Sequence, residues 1–131
     1  MSKIRVVLAD DHPEMAARVR RALSDNFEIL VSVSDGNQAV DAVLAMDADV
    51  LVTDISMPVK DGLQTANCLR KANSRVKIVF LTIHEDRDFV TAALRTGASA
   101  YVTKGRLTTD LIHAISEALL GNIFVSPIIE R

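Results

Sequence analysis

The sequence predicts one α/β domain, built as a three-layer sandwich with a parallel five-stranded sheet between helices. Apolar runs alternate with helix-like patterns along the chain, as in repeated βα units. These runs are nearly continuous rather than alternating, which is typical of strands covered on both faces. The length of 131 residues favours a single domain, and right-handed crossovers place helices on both sides of the sheet.

The first half of the chain contains three predicted strands and three predicted helices. The strands are Ile4–Asp10, Phe27–Val33 and Val50–Asp54, and the helices are about Pro13–Ser24, Gly36–Met46 and Gly62–Asn73. Pro13 suits a first helical position, and apolar residues at helical spacing mark the faces expected to be buried. These are Met15, Val19 and Leu23 in the first helix, Val40, Val43 and Leu44 in the second, and Leu63, Ala66 and Leu69 in the third. Pro58 and the pair Asp61-Gly62 break the loop before the third helix.

The second half completes the pattern with two more units. Lys77–Thr82 and Ala100–Thr103 are predicted strands, and about Asp86–Thr96 is a helix after which Gly97 suits a left-handed C′ position. The last helix is predicted to begin with a cap near Thr108–Asp110 and to end at Gly121, with Leu111, Ile115 and Leu119 inward. We therefore predict a domain over residues 1–121, followed by the start of a linker at 122–131.

Composition excludes several classes of function. The net charge is −2 with scattered basic residues, and only five aromatic residues are present (four Phe, one Tyr), so direct nucleic-acid contact is not expected. The single cysteine, Cys68, rules out an internal disulfide. No apolar run approaches the ~20 residues that span a bilayer, and no signal peptide is recognisable. A cytoplasmic protein without membrane contact is expected.

Five polar side chains follow the predicted strands: Asp10, Asp11, Asp54, Thr82 and Lys104. In a parallel sheet ordered 2-1-3-4-5 they meet at one edge, where open α/β sheets bind ligands. Two carboxylates ~5 Å apart repel by about 3 kcal/mol at an effective dielectric near 20. A cation is therefore expected among the acids, and hard oxygen ligands favour Mg²⁺.

These groups together predict phosphoryl transfer. A carboxylate can accept a phosphoryl group as an acyl phosphate, and Asp54 is our candidate nucleophile. Lys104 could bind a phosphoryl oxygen as a point cation, and the Thr82 hydroxyl could donate to another. Taken singly, each residue has an ordinary explanation: Asp11 as a helix cap, Thr82 as a strand former, Lys104 as a solvated cation. Their convergence on one edge favours the site.

With these residues, the sequence resembles the receiver domain of bacterial two-component response regulators over about residues 3–120. The matching stretches are Val7-Leu8-Ala9-Asp10-Asp11-His12-Pro13, Asp54-Ile55-Ser56-Met57-Pro58, Asp61-Gly62, Leu81-Thr82, Gly97-Ala98 and Tyr101-Val102-Thr103-Lys104. Leu81-Thr82-Ile83-His84-Glu85-Asp86 and Ser126-Pro127 are similar to the NarL/FixJ (LuxR-type) branch. The resemblance implies a flavodoxin-like (βα)5 fold.

The resemblance also implies residue roles. Asp54 would be the phosphoacceptor, and Asp10 and Asp11 would organise Mg²⁺ (or Mn²⁺), with Asp11 as the direct ligand. The backbone carbonyl of Ser56 would complete the metal site. Thr82 and Lys104 would contact the phosphoryl group, and Tyr101 would rotate inward as a switch after Thr82 moves; ordinary packing is the alternative for Tyr101. Ser56 and His84 would tune dephosphorylation.

The implied partners are a sensor histidine kinase, a second copy of the chain after phosphorylation, and a C-terminal helix-turn-helix DNA-binding domain. A fragment of a longer transcription regulator and a stand-alone receiver both remain open, as do two dimer faces: first and last helices, or fourth helix, fifth strand and last helix. One departure is Gly105, where many receivers have a proline after a cis bond; a cis bond is not expected here.

Three other functions compete with a signalling receiver, which is not itself an enzyme in the usual sense. A haloacid-dehalogenase-like phosphatase or phosphotransferase would place its nucleophile after the first strand in an Asp-x-Asp pattern, which Asp10-Asp11-His12 does not fit. An FMN binder needs a Ser/Thr/Gly-rich loop there, and this loop is acidic. A degenerate receiver acting only through binding is opposed by the complete set of Asp54, Thr82 and Lys104.

Overall fold

A single parallel sheet of six strands forms the centre of the computed structural model, which describes residues 3–128. The strands are β1 (Ile4–Ala9), β2 (Phe27–Val33), β3 (Val50–Thr53), β4 (Lys77–Thr82), β5 (Ala100–Thr103) and β6 (Phe124–Val125). Their order is β2-β1-β3-β4-β5-β6, with every pair parallel. The predicted order of the first five strands is confirmed. The predicted strand count is wrong, because part of the segment interpreted as linker pairs with β5.

Five α-helices connect and cover these strands. They are α1 (Pro13–Leu23), α2 (Gly36–Met46), α3 (Gly62–Lys71), α4 (Arg87–Arg95) and α5 (Leu107–Leu119), and a short 3₁₀ helix, Lys104–Arg106, precedes α5. Three of them begin at aspartates whose carboxylates accept a backbone N–H three residues later: Asp35, Asp61 and Asp86. Gly97 has φ +89°, which confirms the left-handed position predicted after α4.

The start of α5 differs from the prediction. The helix begins at Leu107, and Asp110 lies inside it with its carboxylate bonded to Arg106 and Ser126 rather than to a free helix N–H. The Asp110 side chain therefore forms a local pair with Arg106 and a tertiary contact with Ser126, and the second of these exists only because β6 is paired with the sheet.

Two apolar cores lie on opposite faces of the sheet. One packs α1 and α5 against the sheet, and the other packs α2, α3 and α4. Two residues predicted to be inward are not: Leu44 is 49% exposed and Leu119 is 37% exposed. Each lies one position beyond a buried residue, Val43 or Ala118, and so falls at the margin of its helix's apolar stripe.

The strand register brings polar strand ends to one edge. Ala9 lies beside Thr53, Thr53 beside Phe80, and Thr82 beside Thr103. Because all strands point the same way, the residues that follow them share this edge. Within residues 3–128, no helix has the length and apolarity needed to cross a membrane. Residues 129–131 of the predicted linker lie outside the described residues.

Candidate functional site

Asp54 is the centre of the site and is held from three directions. Its backbone N–H donates to the carbonyl of Ala9 at 3.0 Å, which fixes the end of β3 against β1. One carboxylate oxygen accepts a hydrogen bond from the Ile55 N–H at 2.7 Å, and the other accepts a hydrogen bond from Lys104 Nζ at 2.8 Å. The residue is buried, so its carboxylate is presented in a fixed orientation.

Lys104 bridges the two buried acids of this edge. Its Nζ lies 2.8 Å from Asp54 Oδ2 and 3.0 Å from Asp10 Oδ2, and its side chain is only 9% exposed. Burial opposes the charge on Lys104, but hydrogen bonds to Asp54 and Asp10 outweigh it and raise the pKa of the lysine. The ammonium therefore stays charged and offsets part of the acidic charge at this edge.

The acidic cluster has the donor set of a divalent-metal site. One ligand atom from each of Asp10, Asp11, His12 and Asp54 lies within 4.8 Å of all the others. His12 Nδ1 lies 3.1 Å from Asp10 and 3.2 Å from Asp11, so the imidazole is paired with the acids. Three carboxylates, one of them solvent-exposed, fit a hard cation that keeps some of its water.

The N-terminus of α3 presses on the backbone of Asp54, and this contact requires a glycine. A Cβ added at Gly62 would lie 2.2 Å from the Asp54 carbonyl oxygen and 2.8 Å from Ile55 Cα. The Gly62 N–H donates to the Ile55 carbonyl at 2.7 Å. The loop after β3 thus folds tightly back on the residue predicted to be the nucleophile. The sequence marked Gly62 as part of a turn, as the start of the third helix and as part of the matching Asp61-Gly62 pair, but it did not indicate this close approach.

Thr82 and Tyr101 both contact the backbone of His84. The Thr82 hydroxyl oxygen accepts the His84 N–H at 3.3 Å, and the Tyr101 hydroxyl donates to the His84 carbonyl at 2.8 Å. Tyr101 is fully buried. Burial, followed by the nearby carboxylates of Asp86 and Asp54, raises the pKa of its phenol, so the hydroxyl remains a donor. The ring therefore has the inward arrangement.

The His84 side chain joins the loop after β3 to α4. Its Nε2 lies 3.0 Å from Ser56 Oγ, and its ring stacks on Phe89 with centroids 3.9 Å apart and planes 6° apart. Phe89 is a contact that sequence reasoning missed, because nothing in the sequence ties its ring to that of His84. His84 thus contacts Thr82, Tyr101, Ser56 and Phe89 from one position.

The predicted residues accordingly gather into two connected groups. Asp10, Asp11, Asp54 and Lys104 form the charged group, and Thr82, Tyr101, Ser56 and His84 form the second. A solvent-open cleft of about 360 Å³ lies over the site, lined in part by Arg18, Asp54, Ser56 and Lys104. This arrangement combines a buried carboxylate, an adjacent ammonium and a metal-competent acid cluster at the ligand edge of a flavodoxin-like sheet, which is what a phosphorylatable aspartate requires.

Comparison with known families gives the same class. Residues 6–116 match the model of the response regulator receiver domain, so the chain belongs to the response regulator receiver family. Members of this family are signalling domains rather than classical enzymes.

Relatives with longer chains are found among LuxR-type regulators. The transcriptional regulatory protein DegU of Brevibacillus brevis is 34% identical over 128 residues, which is 96% of this chain and 54% of DegU. The signal receiver domain of the response regulator NarL from Mycobacterium tuberculosis has a TM-score of 0.89 at 30% identity, covering 93% of this chain and 100% of that one. A structure of two RcsB dimers bound to two parallel DNAs has a TM-score of 0.86 at 25% identity, covering 95% and 64%. The chain spans about half the length of the curated relatives it matches.

Proposed function

We propose that this chain accepts a phosphoryl group on Asp54 from a sensor histidine kinase and thereby controls dimerisation and a transcriptional output domain. The observation that carries the proposal is the position of Asp54: a buried carboxylate 2.8 Å from the Lys104 ammonium and within a cluster of metal-competent acids. Asp10 shares both neighbours and also follows a central strand, but Asp54 is the one of these two buried acids that lines the solvent-open cleft.

The chemistry follows from the groups around Asp54. A carboxylate oxygen attacks the phosphorus of the donor phosphohistidine, the P–N bond breaks, and the electron pair leaves with the imidazole nitrogen, giving an acyl phosphate. The Lys104 ammonium, which Asp10 contacts at 3.0 Å, would bind a phosphoryl oxygen. Mg²⁺, or Mn²⁺ in its place, would be held by Asp10, Asp11, Asp54 and the Ser56 carbonyl and would supply positive charge for the phosphoryl oxygens.

The conformational response is assigned to the second group of residues. The Thr82 hydroxyl, which accepts the His84 N–H, would turn to donate to a phosphoryl oxygen. Since Tyr101 is already inside and bonded to the His84 carbonyl, phosphorylation is expected to stabilise this inward arrangement rather than to create it. A shift of the ratio of active to inactive conformations from 1:99 to 99:1 requires that phosphorylation stabilise the active conformation over the inactive one by about 5.5 kcal/mol.

Loss of the phosphoryl group depends on access of water to the same cleft. Ser56, which lines the cleft, is hydrogen-bonded to His84, and the imidazole of His84 stacks on Phe89. These two residues are therefore assigned to tuning of autodephosphorylation, which the domain itself would catalyse.

The wider setting is also part of the proposal. The match covers 54% of DegU and 64% of the RcsB chain; DegU is named as a transcriptional regulator, and the RcsB structure contains dimers on DNA. A DNA-binding domain joined through residues 122–131 and a phosphorylation-dependent homodimer follow by analogy. DNA contact is assigned to that domain, because this chain carries a net charge of −2.

The first experiment is intact-protein mass spectrometry after incubation with acetyl phosphate and Mg²⁺. The parent should gain one phosphoryl group, and the adduct should be absent without Mg²⁺ and in Asp54→Ala. Asp41→Ala, which removes an exposed helical carboxylate, is the matched control and should behave as the parent.

An adduct that persists in Asp54→Ala would contradict the assignment of the nucleophile. A parent that is labelled neither by acetyl phosphate nor by a panel of histidine kinases would contradict phosphorylation itself and favour a receiver that acts through binding alone.

A further inference from the structure

The segment after α5 is docked on the sheet as an integral strand. Residues 124–128, here called the C-terminal strap, include β6, whose Phe124 lies beside Ala100 and whose Val125 lies beside Tyr101. The Phe124 N–H donates to the Ser99 carbonyl at 3.1 Å, and the Ser126 N–H donates to the Tyr101 carbonyl at 2.8 Å. The strap therefore covers the outer edge of β5, the strand that carries Tyr101 and leads to Lys104.

Side chains of the strap pack on both cores. Phe124 packs against the core under α1 and α5 and meets the His113 ring edge-on, with centroids 5.2 Å apart. Val125 and Ile128 pack against the opposite core, which contains Tyr101. Packing on both faces distinguishes the strap from a linker that merely passes over the surface.

A buried polar cluster fixes the strap to the end of β5. Ser126 Oγ donates to Asp110 Oδ2 at 2.7 Å and accepts the Thr103 N–H at 3.3 Å. Arg106 donates to both oxygens of Asp110, at 2.7 and 3.2 Å. Ser126 is 1% exposed and Asp110 is 5% exposed. Burial of such groups is costly unless they are paired, and here each one is.

The cluster bonds to residues on both sides of Lys104, through a backbone N–H on one side and through a side chain on the other. Thr103, which bonds Ser126, immediately precedes the lysine, and Arg106, which bonds Asp110, follows it by two residues. Between them, Gly105 has no side chain to make contacts of its own, and a Cβ at this position would meet nothing within 4 Å. The strap and α5 therefore add side-chain contacts to the short 3₁₀ helix, Lys104–Arg106, that carries the lysine.

We infer that Ser126 and Asp110 are positioning residues for Lys104, and that docking of the strap and phosphorylation of Asp54 stabilise each other. This inference rests on the proposed phosphorylation, and extends it by giving a physical route from the site to whatever follows residue 128. Coupling between two sites is reciprocal. If the docked strap favours the lysine position that binds a phosphoryl oxygen, then the bound phosphoryl group must favour the docked strap.

The first arm of the test needs no phosphorylation. The protein is treated with a limiting amount of an amine-reactive reagent, and the labelling rates of Lys104 and Lys77 are compared in the same digests. The comparison is made for the parent, Ser126→Ala and Ser116→Ala. Ser116 is exposed on α5 and serves as the matched control. We expect Ser126→Ala to raise labelling of Lys104 relative to Lys77 several-fold, while Ser116→Ala leaves the ratio unchanged. An unchanged ratio in Ser126→Ala would overturn the positioning role.

The second arm measures amide hydrogen exchange of residues 123–128 before and after incubation with acetyl phosphate and Mg²⁺, with intact mass recorded on the same samples. Phosphorylation should slow exchange at Phe124 and Ser126 by at least about fivefold, the lower end of typical couplings. This slowing of exchange should be absent in Ser126→Ala and present in Ser116→Ala. A parent that carries the phosphoryl group but shows unchanged exchange would overturn the coupling. Absence of the phosphoryl group would instead count against the proposed function, on which the coupling rests, while the labelling ratio would still decide the positioning role.

Discussion

At the scale of single residues, the charge balance around Lys104 decides how the site behaves. Its ammonium is shared between Asp54 and Asp10 at 2.8 and 3.0 Å, and Asp11 belongs to the same acidic cluster. Removing the lysine would leave neighbouring carboxylates without their internal cation, so the variant should depend more strongly on an external one.

We therefore expect Lys104→Met to lower the free energy of unfolding by about 2 kcal/mol in the absence of Mg²⁺. This is less than the ~3–5 kcal/mol lost when fully buried pairs are broken, because the cleft opens to solvent. Saturating Mg²⁺ should stabilise this variant more than the parent. Urea unfolding with and without the metal measures both effects, and Lys77→Met is the control. Equal metal stabilisation of parent and variant would contradict this view of the charge balance.

Most residues of the site could be predicted from the residue types at the strand ends, but their hydrogen-bond partners could not. Asp10, Asp54, Thr82 and Lys104 were predictable because parallel strands place their carboxyl ends together. That Lys104 contacts both acids, or that Thr82 bonds the His84 N–H, depends on side-chain rotamers set by packing. The pair Asp110–Ser126 was missed because its burial exists only once β6 is in place.

At the scale of elements, the contact between α3 and the loop after β3 is the tightest feature of the site. Gly62 begins α3 with the capping Asp61 before it, and no side chain could replace its hydrogen without a clash with the Asp54 carbonyl. A wider spacing between α3 and the loop after β3 would shift Asp54 itself.

Gly62→Ala should lower the free energy of unfolding by about 1–3 kcal/mol, the usual range for overpacking, and slow the labelling of Asp54 by acetyl phosphate. Gly105→Ala is the matched control, since an added Cβ there has open space. Thermal unfolding and the mass-spectrometric labelling rate together test this. If the two alanine variants behaved alike, the close approach of α3 would not be a constraint on the site.

The elements themselves were largely predictable from periodicity, and the exceptions have physical causes. Continuous apolar runs identified β1 to β5, whereas β6 is only two residues long and has no pattern of its own; its pairing is a tertiary effect. Leu44 and Leu119 continue an apolar spacing beyond the face that the sheet covers, so the spacing alone placed them inside.

At the scale of the whole molecule, the cluster around Asp110 ties α5, β5 and the C-terminal strap into one unit. The hydrogen bond from Arg106 lowers the pKa of Asp110 below its ordinary value of 3.8. Burial opposes this shift, and the hydrogen bond from Ser126 adds to it. A carboxylate whose pKa is depressed in the folded state stabilises the fold above its unfolded pKa. That stabilisation is lost as the pH falls through the folded value.

The parent should accordingly unfold at a higher temperature than Asp110→Asn near pH 7, and the difference should shrink as the pH falls below about 4 towards the lowered pKa. Thermal unfolding followed by circular dichroism across this range measures the difference. Asp41→Asn, at an exposed position of α2, should show no such pH-dependent gap. A gap that stayed constant down to about pH 2 would mean that the ionised carboxylate is not the stabilising form.

The direction of β6 has a consequence for the attachment of labels and fused domains. Because β6 runs parallel to β5, the chain leaves β6 in the direction of the sheet edge at which Asp54 lies, whereas β1 starts from the opposite edge. A fluorophore or protein fused after the strap would begin its tether towards the edge at which Asp54 lies, with β4 and β5 between it and β3, and one fused before β1 would begin near the opposite edge. A donor–acceptor pair placed at these two points would report release of the strap as a change in distance along the strands, which makes the domain a natural frame for a sensor of its own phosphorylation.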